Sequence, residues 1–253
     1  MTAIEFSGRD RPVREVSSFT SIALTYRIIL RQLTTRGRVI ALTLLSLVAP
    51  VAGWALGASD ASLDDSVRLI AGIGLGLVIP VVALVFGGAS IGDLRDDKTL
   101  VFLWLRPMAR WPVAVGAAGA AITLTAPITL IPLVAAAALT GAGNGIVVGT
   151  IISGLVGVIV YVSVFTFLGA WLKRFIVWGL AYILIWEGFI SQAGAGVARV
   201  ALRKYTRSIL VDQTGTDLDL ADFSLAVGII VPILVAIAAL ALAAWRLSAQ
   251  DID

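Results

Sequence analysis

Long apolar stretches of about 20 residues, separated by short polar or glycine-rich breaks, make up most of the chain. This length is typical of helices that cross a membrane, whereas the strands of a membrane barrel need only about ten alternating residues. We therefore predict an all-α integral membrane protein. Its six transmembrane helices are predicted at 38–57, 67–91, 113–139, 145–172, 175–193 and 223–246.

The segment before the first span, residues 18–36, has the pattern of an amphipathic helix. One face carries Ile22, Tyr26, Ile29, Leu30 and Leu33, and the opposite face carries Arg27, Arg31 and Thr34. Such a division predicts an N-terminal helix that lies in the membrane interface. The alternative is that these residues form the frayed start of the first span.

Composition supports a membrane protein and removes several kinds of chemistry. The chain is 59% hydrophobic and only 14% charged, against about 25% charged residues in an average soluble domain. It contains no Cys and no His, which excludes disulfides, thiol nucleophiles, iron–sulfur clusters and histidine metal sites. The net charge of +3 is small, and we expect no nucleic-acid partner.

The basic residues are divided unequally between the two sides of the predicted bundle. With the N-terminus in the cytoplasm, five of the 19 fall outside and the other 14 inside; the outer five are Arg68, Arg199, Arg203, Lys204 and Arg207. Basic residues in short loops favour the cytoplasmic side, so both termini are predicted to be cytoplasmic. The chain, 1–253, then forms one transmembrane domain, with 1–37 cytoplasmic or interfacial, six spans within 38–246, and a tail at 247–253.

The loop between the second and third predicted spans, residues 92–112, is the densest polar segment. Asp96 or Asp97 is suited to cap a short helix, and Pro107 disfavours helical backbone at the residue before it. The loop helix is therefore predicted to run for about two turns, or ~12 Å. With charged ends and an apolar middle, it is suited to be held by a partner protein. The alternative is a solvated connector.

Two short motifs resemble the permease subunits of type-2 ABC transporters. The first is Asp96-Asp97-Lys98-Thr99-Leu100, then Leu103, then Arg106-Pro107-Met108-Ala109-Arg110. It is similar to the inner loop of many bacterial members, with Lys98 in place of Gly and Met108-Ala109 in place of Val-Ser. The second, Leu184-Ile185-Trp186-Glu187-Gly188, resembles a Leu-Trp-Glu-Gly motif in the fifth span. The order of predicted helices also fits the family.

The resemblance implies a permease subunit of an ATP-driven exporter in the bacterial plasma membrane. It implies as partners two copies of an ABC ATPase and a second permease copy or paralogue. The chain has no G-x-x-x-x-G-K-[ST] motif, so ATP and Mg²⁺ would bind the ATPase, and this chain is expected to hold no cofactor and to be no enzyme itself. The implied ATPase-coupling residues are Asp93, Asp96, Asp97, Lys98, Thr99, Leu103, Arg106, Pro107 and Arg110.

Three other functions remain open at this stage. A secondary transporter would be expected to have inverted repeats, and none is found. A membrane-embedded enzyme would need catalytic acids, His or Cys from several spans, and the pattern offers no such cluster. A non-transporting assembly factor has no sequence signature that would separate it from a permease. The transported substrate cannot be identified from the sequence.

Glu187 is the only acid within an apolar stretch, in the outer half of the predicted fifth span. A buried charge there is costly unless it is paired or hydrated. Glu187 is therefore predicted either to line the pathway or outer gate, or to form an ion pair with Arg199, Arg203 or Lys204 of the basic segment that follows it. That segment, with Arg199, Arg203, Lys204 and Arg207, resembles the family's short re-entrant outer helix, and its charges are suited to membrane lipid phosphates.

Glycines recur four residues apart within the predicted helices. The pairs are Gly53/Gly57, Gly72/Gly76, Gly88/Gly92 and Gly145/Gly149. Small residues at this spacing let membrane helices approach closely, and we predict packing contacts at these positions.

Overall fold

The structure is a computed structural model that describes residues 17–59, 61–96, 110–189, 199–218 and 223–249. Of these residues 87% are helical and none is in a strand, which confirms the all-α fold class. The helices of the described part are α1 Ser18–Leu33, α2 Arg36–Ala58, α3 Leu63–Arg95, α4 Trp111–Leu139, α5 Asn144–Trp171, α6 Phe175–Glu187, α7 Leu202–Thr214 and α8 Leu225–Ala249.

Five of these helices, α2, α3, α4, α5 and α8, are long and apolar enough to cross a membrane. Their bounds agree with the predicted spans to within four residues, and the chain is a multi-pass membrane protein. The remaining predicted span, the fifth in chain order, begins at Phe175 as expected, but helix α6 ends at Glu187. It is about 20 Å long, shorter than the ~30 Å hydrocarbon layer. Residues 190–198, where that span was predicted to end, lie outside the described residues.

Helices α3 and α5 form the centre of the bundle. In each, 61% of the most apolar window is buried, compared with 22% in α2 and α8. The two central helices touch through glycine: a Cβ atom on Gly169 would collide with the carbonyl oxygen of Gly88, and one on Gly87 would lie 2.9 Å from that of Val162. The absence of side chains at these positions therefore sets the distance between α3 and α5.

The glycine pairs make the predicted packing contacts, with one exception. Gly53 and Gly57 of α2 lie against the backbone of α4, Gly88 and Gly92 against the ring of Phe175, and Gly145 and Gly149 against α7. Gly72 faces open space, whereas its pair, Gly76, lies against a guanidinium group and not against a helix backbone.

The predicted N-terminal helix is present as α1, and it packs on the first half of α4. Its buried residues are Ser21, Thr25, Ile29 and Leu33, so the packed face is rotated from the predicted one toward the two small hydroxyl residues. The reason is a close contact, since a Cβ atom on Gly116 would lie 2.9 Å from the carbonyl oxygen of Ile22. Arg27 and Arg31 are exposed, beside exposed Leu24 and Ile28.

Candidate functional site

The carboxylate of Glu187, only 2% exposed, lies where α5, α6 and α7 meet. Its Oε1 accepts hydrogen bonds from the hydroxyl of Tyr182 at 2.7 Å and the backbone N–H of Leu202 at 3.1 Å. Its Oε2 accepts from the hydroxyl of Tyr161 at 2.8 Å and the backbone N–H of Arg203 at 3.1 Å. An ionised carboxylate is an acceptor-only group with about four lone-pair sites, and four donors reach this one.

Two of these donors belong to the first turn of α7. The first N–H groups of a helix have no partner within the helix, and Ala201, which precedes α7, has no side-chain acceptor to cap them. Glu187, 15 residues earlier in the chain, supplies the missing acceptor from α6. The positive end of the helix dipole also favours a carboxylate there. Glu187 therefore fastens the end of α6 to the start of α7.

The other two donors depend on how α5 and α6 are built. The last part of α6, Tyr182–Glu187, is π-helical; bonds between residues i and i+5 bring Tyr182 and Glu187 into register. Tyr161 is buried in α5 and stacks on Phe165, with ring centroids 6.0 Å apart. Sequence reasoning missed both tyrosines, although a hydroxyl in an apolar span needs a hydrogen-bond partner and was the available signal.

The basic residues Arg203 and Arg207 share the face of α7 that lies along α3, as their spacing of four predicts. A Cβ atom on Gly76 would be 2.6 Å from the Arg203 guanidinium, and Arg207 lines a cavity with Arg68 and Ala71. Helix α7 thus runs antiparallel to α3.

Lys204 and Arg199 point elsewhere. Lys204 is 5% exposed, and its Nζ lies 4.8 Å from the centroid of the Phe223 ring, a cation–π contact. Arg199 is exposed, and its carbonyl oxygen accepts a hydrogen bond from the Tyr205 hydroxyl at 2.7 Å. Of the three cations predicted as partners of Glu187, Arg203 reaches it through its backbone N–H.

At the opposite end of α3, polar contacts hold the start of the predicted coupling loop. Arg38 of α2 forms an ion pair with Asp93, with Nη2 and Oδ2 3.1 Å apart. Arg95 donates a hydrogen bond to the carbonyl of Leu172, just after α5. Arg110 directly precedes α4. The backbone of Asp96 is helical; the predicted coupling residues Asp97, Lys98, Thr99, Leu103, Arg106 and Pro107 lie outside the described residues.

Within the described ranges, no group of three or more His, Cys, Asp or Glu side chains is placed to hold a metal ion. Comparison with known proteins gives no match, either to a family model or to a curated protein. A functional assignment must therefore rest on the loop motif and on the geometry of the bundle.

Proposed function

We propose that the protein is the membrane-spanning permease subunit of an ATP-driven type-2 ABC exporter. The observation that carries the proposal is the motif in 92–112, which resembles the ATPase-coupling segment of that family and connects α3 with α4. Helix α3 continues from this loop into the centre of the bundle. In this proposal two ABC ATPase subunits hold ATP and Mg²⁺, and a second permease copy or a paralogue completes the pathway.

The order of the helices supports a position in the bacterial plasma membrane with both termini cytoplasmic. In this orientation most basic residues face the cytoplasm, as the positive-inside rule requires. In this orientation α6 runs from the inner side toward the outer side and ends at Glu187. Helix α7 begins at the depth of Glu187 and also runs outward, as a re-entrant helix along α3. The first turn of α7, at membrane depth, keeps its N–H groups hydrogen-bonded through Glu187.

A mechanical connection between the loop and the outer side follows from the contacts. Force applied to the coupling loop would be transmitted to α3. The inner end of α3 is held by the ion pair with Arg38 and by a hydrogen bond to the end of α5. Further along, α3 contacts α5 at Gly88 and the Arg203 guanidinium at Gly76. Arg203 belongs to the helix that Glu187 caps. A displacement of α3 by the ATPase would therefore reach the α6–α7 junction, the proposed outer gate.

The proposal is tested through the loop. Purification of the tagged protein from membranes of its source cells should recover an ABC ATPase chain, identified by mass spectrometry, with measurable ATP hydrolysis. Arg106→Glu combined with Arg110→Glu should abolish this association or reduce the hydrolysis at least tenfold, because the reversed charges would face the docking partner. The matched control reverses Lys173 and Arg174, an exposed basic pair in the α5–α6 turn on the same side.

Membrane insertion of each variant is checked by its yield from washed membranes. Absence of any ATPase from the wild-type preparation would argue against the proposal. Equal retention of the ATPase and its activity by the loop variant and the control would instead favour the solvated connector.

The proposed orientation is tested independently by cysteine labelling, since the chain has no Cys of its own. A Cys at Ser59, between α2 and α3, should react with an impermeant maleimide added to intact cells. A Cys at Asp96 or at Lys173 should react only after the membrane is opened. Labelling of position 96 in intact cells would exclude this topology.

A further inference from the structure

Beside the Glu187 junction, a separate cavity of about 160 Å³ lies between the start of α3 and α7. The described residues that line it are Arg68, Ala71, Arg207 and Leu218. Ala71 belongs to the π-helical part of α3, Ile70–Val78, and its small side chain leaves the space between the two arginines open. The volume is enough for several water molecules or for one phosphate-sized group.

Among the described residues that line this cavity, the charged side chains are both arginines. Among the residues that the structure describes, no carboxylate lies within 4.0 Å of the guanidinium groups of Arg68, Arg203 or Arg207. The Nε atoms of Arg203 and Arg207 are buried and have no hydrogen-bond partner there. Glu187, at the N-terminus of the same helix, already accepts from hydroxyl and backbone donors.

Burial of these two Nε–H groups without a hydrogen-bond partner is costly, because their desolvation is not offset by hydrogen bonds. Arg203 and Arg207 also stand one helical turn apart, so that each raises the positive potential at the other. An anion in the cavity would reduce both penalties. The planar fork of an arginine is suited to bind two oxygens of a phosphate at once.

We propose that this cavity is a binding site for a phosphate-type oxyanion, held between the guanidinium groups of Arg68 and Arg207. Arg203, about 12 Å further along α3 at Gly76, adds to the positive potential. Arg68 lies in the first turns of a spanning helix, at the level where lipid phosphates are found. The phosphate can therefore belong to a phospholipid headgroup or to a free phosphorylated solute.

The test measures the midpoint temperature of thermal unfolding of the purified full chain in a neutral maltoside detergent. One arm titrates dioleoylphosphatidylglycerol against dioleoylphosphatidylcholine, and the other titrates inorganic phosphate against chloride at equal ionic strength. We expect a saturable rise in the midpoint temperature with phosphatidylglycerol or with phosphate. A response to the lipid alone identifies a headgroup site, and a response to inorganic phosphate identifies a site for a free anion.

Arg68→Gln removes one of the two guanidinium groups proposed to bind the anion, and Arg68 is exposed. The change should raise the half-saturating concentration of phosphatidylglycerol or phosphate about tenfold or more, because a charge-assisted hydrogen bond is lost. Arg68→Gln with Arg207→Gln should abolish the ligand-dependent shift, whatever its basal stability. The matched control, Arg27→Gln with Arg31→Gln on the exposed face of α1, should retain the full shift. The proposal is overturned if neither arm shifts the wild type, or if Arg68→Gln responds like the control.

Discussion

Glu187→Gln will lower the unfolding free energy of the detergent-solubilised protein by about 1–3 kcal/mol. The amide keeps one acceptor oxygen, but its NH₂ group faces a backbone N–H that donates to the carboxylate in the wild type. A tyrosine hydroxyl can rotate to accept from the NH₂ group, whereas a backbone N–H cannot. Leaving a buried donor unsatisfied costs about 1–3 kcal/mol. The measurement is thermal unfolding followed by circular dichroism, with Asp212→Asn, an exposed acid on α7, as the neutral control.

A double-mutant cycle identifies the cause of the Glu187 effect. Tyr182→Phe alone removes one donor and should destabilise the protein by about 1 kcal/mol. In the Glu187→Gln background the same change should cost much less, because the hydrogen bond is already disrupted. Equal costs in both backgrounds, or wild-type stability of Glu187→Gln, would show that the junction does not depend on this carboxylate. Unchanged stability with altered transport would instead favour the pathway role.

Gly169→Ala is expected to have the second large effect, a loss of about 1–3 kcal/mol or more from overpacking. Its Cβ atom would collide with the backbone of Gly88, which cannot move without shifting α3. The matched control is Gly72→Ala, since a Cβ atom there meets no atom within 4 Å. That change should be neutral or raise stability by up to about 1 kcal/mol, because alanine favours helical backbone over glycine.

Both glycine variants are compared by thermal midpoint and by folded yield in the same detergent. If Gly169→Ala and Gly72→Ala behave alike, glycine at 169 does not set the separation of α3 and α5. A loss confined to Gly169→Ala would support the central packing described above.

The five long helices could be predicted from sequence because each contains an uninterrupted apolar stretch of the length that a membrane span needs. Their ends follow from the polar breaks, which is why the bounds agree so well. The face of α1 was harder to predict. Apolar periodicity places Ile22 and Leu30 on the contact face, where both are half-buried, but the close approach at Gly116 buries Ser21 and Thr25 more completely. Periodicity alone does not encode that approach.

The candidate site was only partly predictable for a related reason. Glu187 was identified because an acid in an apolar stretch is unusual. Its partner Tyr161 comes from another helix, and its partner Tyr182 depends on a π-helical register. The neighbourhood of Arg68 and Arg207 arises from the antiparallel course of α7 along α3. Each of these contacts depends on how two helices are rotated relative to each other, and that rotation cannot be read from a single sequence.

The capping of α7 by Glu187 also bears on biosynthesis. Synthesis is vectorial, so Glu187 leaves the ribosome before Leu202 and Arg203, whose N–H groups donate to its carboxylate. The first turn of α7 therefore meets its acceptor as soon as it packs against α6. A chain truncated after α6 would keep the two tyrosine donors to Glu187 but lack the two backbone donors of α7. Such a fragment would present quality-control proteases with a carboxylate that has lost half of these hydrogen bonds.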